Sequence, residues 1–150
     1  MNDTRSCTAT GTFSVDSWRD EPANELDEAG AADSPTKVGW VQLTKTFQGD
    51  LAGHSTVDML AVSVGGAPAG YVAIERVVAT LAGRSGDFVL QHAATAGPEG
   101  QALRIEVVSG TGSAGLAGLR GELEIVRAED GSHTYSFAYE LPETTTPGPG

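Results

Sequence analysis

Residues 71–92 read YVAIERVVATLAGRSGDFVLQH, and this stretch decides the fold. Two runs rich in β-branched and large apolar residues flank a turn bracketed by glycine, the pattern of a β-hairpin. A tip at Arg84–Ser85 pairs Val77 with His92 and Glu75 with Ala94. Side chains alternate across a strand. One face then takes Glu75, Val77, Ala79, Leu81, Phe88, Leu90 and His92, and the other Arg76, Val78, Thr80, Asp87, Val89 and Gln91. The first face holds the large apolar groups and is the expected interior.

The same texture extends in both directions. No stretch of a dozen residues places apolar groups at helical spacing with caps. Runs rich in Val, Thr, Phe and Tyr are instead broken by turns, which predicts an all-β chain. Eight strands are expected near 7–18, 38–48, 54–64, 71–82, 86–95, 101–108, 119–128 and 133–141. The joins GDLAG (49–53), GGAPAG (65–70), AGRSG (82–86), GPEG (97–100) and EDG (129–131) are short enough for hairpins. Eight strands joined in this way avoid exposed edges by closing into an antiparallel up-and-down barrel. A two-sheet sandwich is the rival. The tripeptide Leu-Ala-Gly recurs at 51–53, 81–83 and 116–118, in the joins of strands 2–3, 4–5 and 6–7. Up-and-down connectivity places all three at one end, with Leu facing inward and Gly supplying positive φ.

Composition narrows the function classes. With 150 residues and 20 glycines the chain fits one turn-rich domain, expected to span 1–141. Residues 19–36 form an expected acidic loop, and the tail 142–150 is expected to be disordered. The net charge of −11, with nine scattered basic residues, speaks against nucleic acid and anionic membranes as partners. No apolar run is long enough to span a bilayer and no signal peptide is visible, so a cytoplasmic protein is expected. Cys7 is the single cysteine, which gives neither a disulfide framework nor a zinc site. The three histidines are isolated, and no metal or other cofactor is expected.

The candidate site follows from the hairpin. Glu75 and His92 are diagonal neighbours on an apolar face, where polar groups need partners. As a pair they suit proton abstraction and return, with Glu75 as base and His92 as its orienter or as acid. The structural alternative is an ion pair. Burial should raise the Glu75 pKa, and a charged His92 would oppose the rise. Phe88 and Leu90 would line the interior beside them. Lys45 shares a face with Val41, Leu43 and Phe47, and a cross-strand pair with Asp58 is its bland reading. Tyr71 or Tyr139 would place a hydroxyl at the mouth. Arg120 is either an anion anchor at the barrel mouth or a surface charge. Val72, Ile74 and Val78 form an outward apolar set that implies a homo-oligomer, a dimer before a trimer.

The stretches GTFSVDSW (11–18), TKTFQGDLAGHSTVDML (44–60), YVAIERVVATLAGRSGDFVLQH (71–92) and SGTGSAGLAGLRGELEI (109–125) resemble a bacterial family of small barrels catalogued as a domain of unknown function. Its members resemble the allene oxide cyclase barrel, also likened to lipocalins and avidin. The resemblance implies an eight-stranded, commonly oligomeric barrel, in a class that steers ring closure of reactive apolar substrates. It assigns no role to Glu75, Arg76, Gln91 or His92. The expected function is therefore a barrel that binds a small, mostly apolar molecule, with isomerase or cyclase activity carried by Glu75 and His92. A non-catalytic binding barrel and an oligomeric scaffold stand as alternatives.

Overall fold

The computed structural model of the chain describes residues 6–22 and 34–143. Eight strands follow one another round a closed antiparallel barrel: β1 (Ser6–Pro22), β2 (Thr36–Gly49), β3 (Leu51–Val64), β4 (Ala67–Leu81), β5 (Arg84–Gly97), β6 (Gly100–Val107), β7 (Arg120–Arg127) and β8 (His133–Glu140). Among the described residues there is no α-helix. A 3-10 turn, Ala114–Leu116, lies in the β6–β7 join.

The expected boundaries shift most at β1. It runs on to Pro22, so residues 19–22 are strand where a loop was expected. The reason is β2, which pairs with β1 as far as Pro22–Gly39. The rest of the acidic segment, 23–33, and the tail from 144 lie outside the described residues. A bulge between Val15 and Ser17 re-aims the strand. Beyond it Trp18, Asp20 and Pro22 stand opposite Leu43, Val41 and Gly39.

Register fixes which side chains face inward. The β4–β5 turn is Ala82–Gly83, both at positive φ (53° and 76°), the two-residue form that matches the twist of a hairpin. The expected tip at Arg84–Ser85 is therefore corrected. Val77 pairs with Phe88, Glu75 with Leu90 and Ala73 with His92. The displacement is an even number of residues, so every side chain stays on its expected face.

At the β2–β3 turn only Asp50 separates the strands, and Lys45 pairs with Ser55. Odd residues thus meet odd residues. This overturns the expectation that Thr56 and Asp58 share the face of Lys45. Asp58 is on the outer wall, where it accepts a hydrogen bond from Gln42 at 3.0 Å.

The three Leu-Ala-Gly segments do meet at one end. Leu51 opens β3, Leu81 closes β4, and the two are cross-strand partners; Leu116 belongs to the 3-10 turn. All three leucines are fully buried in one cluster with Phe47, Phe88 and Phe137. Gly83 and Gly118 have positive φ as expected, but Gly53 does not. Gly53 is needed because a Cβ there would stand 2.1 Å from the Val78 carbonyl oxygen.

The two ends of the barrel differ. β1–β5 have 14 to 17 residues, whereas β6, β7 and β8 have eight each. β8 pairs with β1 only from Ser6 to Phe13, and β6 meets β7 through one pair, Glu106–Glu122. The closed, packed end is the leucine end. Towards the other end a smaller cluster of Val41, Leu43, Val57 and Ala73 lines the interior.

Candidate functional site

Between the two clusters the interior holds four polar side chains, Lys45, Ser55, Glu75 and His92, all buried. Successive rows of the sheet place them. His92 faces Ala73, Glu75 lies one inward step along β4, and Lys45, Ser55 and Val77 form the row beyond. Glu75 is 0% exposed and makes three contacts. The Lys45 ammonium donates to Oε1 at 3.3 Å, the Ser55 hydroxyl to Oε2 at 2.6 Å, and His92 Nε2 stands 2.7 Å from Oε1. Lys45 Nζ also lies 4.7 Å from the centre of the Phe13 ring, a cation–π contact.

Burial pushes the Glu75 carboxyl up. The His92 hydrogen bond, the charge of Lys45, the charge His92 carries when protonated and the Ser55 hydroxyl together outweigh it, and the carboxyl lies below its ordinary range. The expected rise is thus reversed, because Lys45, expected on Asp58, and Ser55, not expected at all, join His92 at the carboxylate. An ionised Glu75 accepts from His92 Nε2–H; Nδ1 is an acceptor in the Nε2–H tautomer of the ring and a donor in the imidazolium. Tyr71 Oη stands 3.4 Å from Nδ1, and it donates to that nitrogen when the ring is the Nε2–H tautomer. Burial, and then the charge of Glu75, raise the Tyr71 pKa, so the phenol is protonated at neutral pH.

A cavity of ≈ 880 Å³ opens at the end where β7 and β8 stop short, and neither strand contributes to its wall. Trp18, Val41, Met59, Ala61, Tyr71 and Leu103 give it an apolar lining, with Asp20, Glu21 and Lys37 the charged residues of its wall. Of the polar chain Lys45–Glu75–His92–Tyr71, only Tyr71 lines this cavity.

The other expected site residues are placed elsewhere. Phe88, Leu90 and Tyr139 are packed in the closed-end cluster and not at the cavity, and Tyr139 stacks on Phe137. Arg120 is exposed at the start of β7, alternating with the inward Leu123 side of the strand. Lys45 holds the Glu75 carboxylate instead of lining the cavity. Sequence reasoning missed Ser55 and the lining residues Trp18, Met59 and Ala61. An odd-length β2–β3 turn would have found Ser55; the bulge that turns Trp18 inward leaves no mark in the sequence. Among the described residues no group of three or more His, Cys, Asp or Glu could hold a metal ion, and no helix is long and apolar enough to cross a membrane.

A family model described as a protein of unknown function, DUF3224, matches residues 9–139. The crystal structure of a protein of unknown function from the DUF3224 family, from Shewanella oneidensis MR-1, is 36% identical with a TM-score of 0.79. The alignment covers 91% of this chain and 98% of that one. A pyocyanin demethylase aligns over 89% of this chain and 99% of its own at 12% identity, but its TM-score of 0.32 carries no argument. No curated protein matches the chain.

Proposed function

The chain belongs to the DUF3224 family of proteins of unknown function, and from that premise we propose that it binds a small, mostly apolar molecule at the open end of its barrel. One observation carries the reading, the ≈ 880 Å³ apolar cavity walled by β1–β6. Ligand sites typically measure about 300–1,000 Å³, whereas a purely structural barrel fills its interior with side chains. The buried pair Glu75–His92 behind the cavity supports proton transfer on the bound molecule, as an isomerase or cyclase of the allene oxide cyclase type would need. Binding without chemistry is the alternative. The reading includes a homodimer, since Trp40, Leu60 and Val72 form one cross-strand apolar row on the outer wall.

Calorimetric titration with tetralin, an apolar two-ring probe, tests the binding. One saturable site is expected in the wild type, and its loss in Ala61→Trp and Ala94→Trp, which fill the cavity from two strands. Equal binding by wild type and both folded variants would place the probe elsewhere and end this reading. Native mass spectrometry of freshly purified protein would identify a retained ligand.

A further inference from the structure

We infer that Tyr71 is the catalytic residue of this cavity, and that His92 and Glu75 act through it as positioning residues on ligands bearing an acidic C–H beside a carbonyl. The inference rests on the cavity reading above and goes beyond it by naming the reacting group and the substrate class. It also revises the assignment of Glu75 as the base.

Glu75 cannot serve as the base that meets a ligand. It is 0% exposed, both its oxygens already accept hydrogen bonds, and it does not line the cavity. His92 is 3% exposed and lies behind Tyr71. For a ligand in this cavity, Tyr71 is the member of the polar chain that it meets. The order of groups sets the direction. The Glu75 carboxylate, 2.7 Å from Nε2, favours the Nε2–H tautomer of the neutral ring, and the bare Nδ1 of that tautomer faces the phenol. A hydroxyl backed by an imidazole, itself backed by a carboxylate, is an acceptor for an incoming proton, because the charge formed on the imidazole is held by the carboxylate.

The step balances within the protein. The ligand C–H proton moves to Tyr71 Oη as the phenolic proton moves to His92 Nδ1. The electron pair of the broken C–H bond stays on the ligand as an enolate. The imidazolium keeps its Nε2–H on Glu75. Return of a proton by the same path, to the same or to a neighbouring ligand carbon, restores every group. No oxidant, reductant or cofactor enters. The wall explains the apolar part of the class: a neutral ring system fits the side chains of Trp18, Met59 and Leu103, and the carbonyl-flanked C–H supplies the acidity that a tyrosine relay needs.

The experiment uses 2-tetralone, a two-ring ketone, in D2O. Binding is measured by calorimetry, and α-proton exchange by NMR on the same samples. The wild type should bind the ketone and exchange its α-protons faster than buffer by a factor on the order of 10²–10⁴, the usual yield of a positioned proton-transfer group. Tyr71→Phe should bind within about threefold of wild type, since it loses at most one hydrogen bond, and should exchange at the buffer rate. His92→Asn should likewise keep binding while exchange falls. Nitrogen-15 NMR of wild-type His92 should show protonated Nε2 and bare Nδ1, and Glu75→Gln should weaken that preference. Bound ketone without accelerated exchange, exchange that survives Tyr71→Phe, or the opposite tautomer overturns the relay and leaves the cavity reading standing. Failure of the ketone to bind overturns both.

Discussion

Replacing Glu75 by Gln removes one charge from a buried network and almost no volume. Glu75 is fully buried and Lys45 nearly so, and the ammonium would lose its carboxylate, keeping the Phe13 and Phe47 rings and a neutral carbonyl. Breaking a buried ion pair from one side costs about 3–5 kcal/mol. Ser55 can turn its hydroxyl to accept from the new amide, which favours the lower bound of about 3 kcal/mol. For a chain of this length that is a fall of roughly 6–12 °C in Tm. The pH dependence carries a second signature. The folded-state pKa of Glu75 is lowered from 4.5, so its contribution is present above pH 4.5 and is lost as pH falls through the lowered value. The Gln variant has no such contribution to lose. Wild type and variant should therefore differ most at neutral pH, begin to approach each other below pH 4.5 and converge once pH has fallen through the lowered pKa. Urea unfolding followed by tryptophan fluorescence at several pH values measures both effects. Adding Lys45→Met should restore about half of the loss, because the stranded ammonium goes with it. A neutral-pH difference under about 1 kcal/mol, or a difference that stays constant with pH, would refute this account of the network.

Tyr135→Phe should cost about 1–3 kcal/mol in chemical unfolding, because the buried Leu51 N–H donates to the Tyr135 hydroxyl at 2.8 Å and would be left unpaired. Faster hydrogen exchange at the Leu51 amide should accompany it. Ala82→Asn should raise stability by about 0.5–1 kcal/mol, since Ala82 sits at φ 53° before Gly83 and Asn-Gly is the favoured pair for this turn. The homodimer should appear in sedimentation at micromolar concentration, and Val72→Glu, at one end of the outer row and 56% exposed, should shift it towards monomer. A single-chain particle in the wild type would reject the dimer.

The barrel was legible because turn glycines and side-chain alternation both repeat along the chain. The placement of Glu75 and His92 on one face was legible for a narrower reason: the misplaced tip at Arg84–Ser85 was wrong by an even number of residues, and parity alone decides the face. At Asp50 the parity itself was misjudged, so Lys45 was assigned to Asp58 when it faces Ser55 and reaches Glu75. The cavity could not be read from the sequence. It depends on β8 stopping opposite Phe13 and on β1 bulging at Asp16, and both are set by pairing between strands far apart in the chain. Phe88, Leu90 and Tyr139 show the same gap, since inward-facing residues are alike in sequence whether they fill the closed end or line the open one.

Every ladder but one joins consecutive strands; the exception is β1 with β8, where Ser6 meets Glu140. Seven hairpin-like steps can therefore form from local encounters, and barrel closure must wait for the two ends of the described chain to find each other. Loop-closure entropy makes that last search the slow step, and contact order predicts folding slower than for a helical chain of equal length. The proximity of Ser6 and Glu140 also means that a short linker between them would turn the closing ladder into a hairpin. A circular permutant opened at Gly65–Gly66, a turn with open space around both glycines, would keep every strand neighbour while shifting the long-range pairing to β3 and β4. The order in which the wall is assembled is thus a property of where the chain is cut, and the finished barrel carries no trace of it.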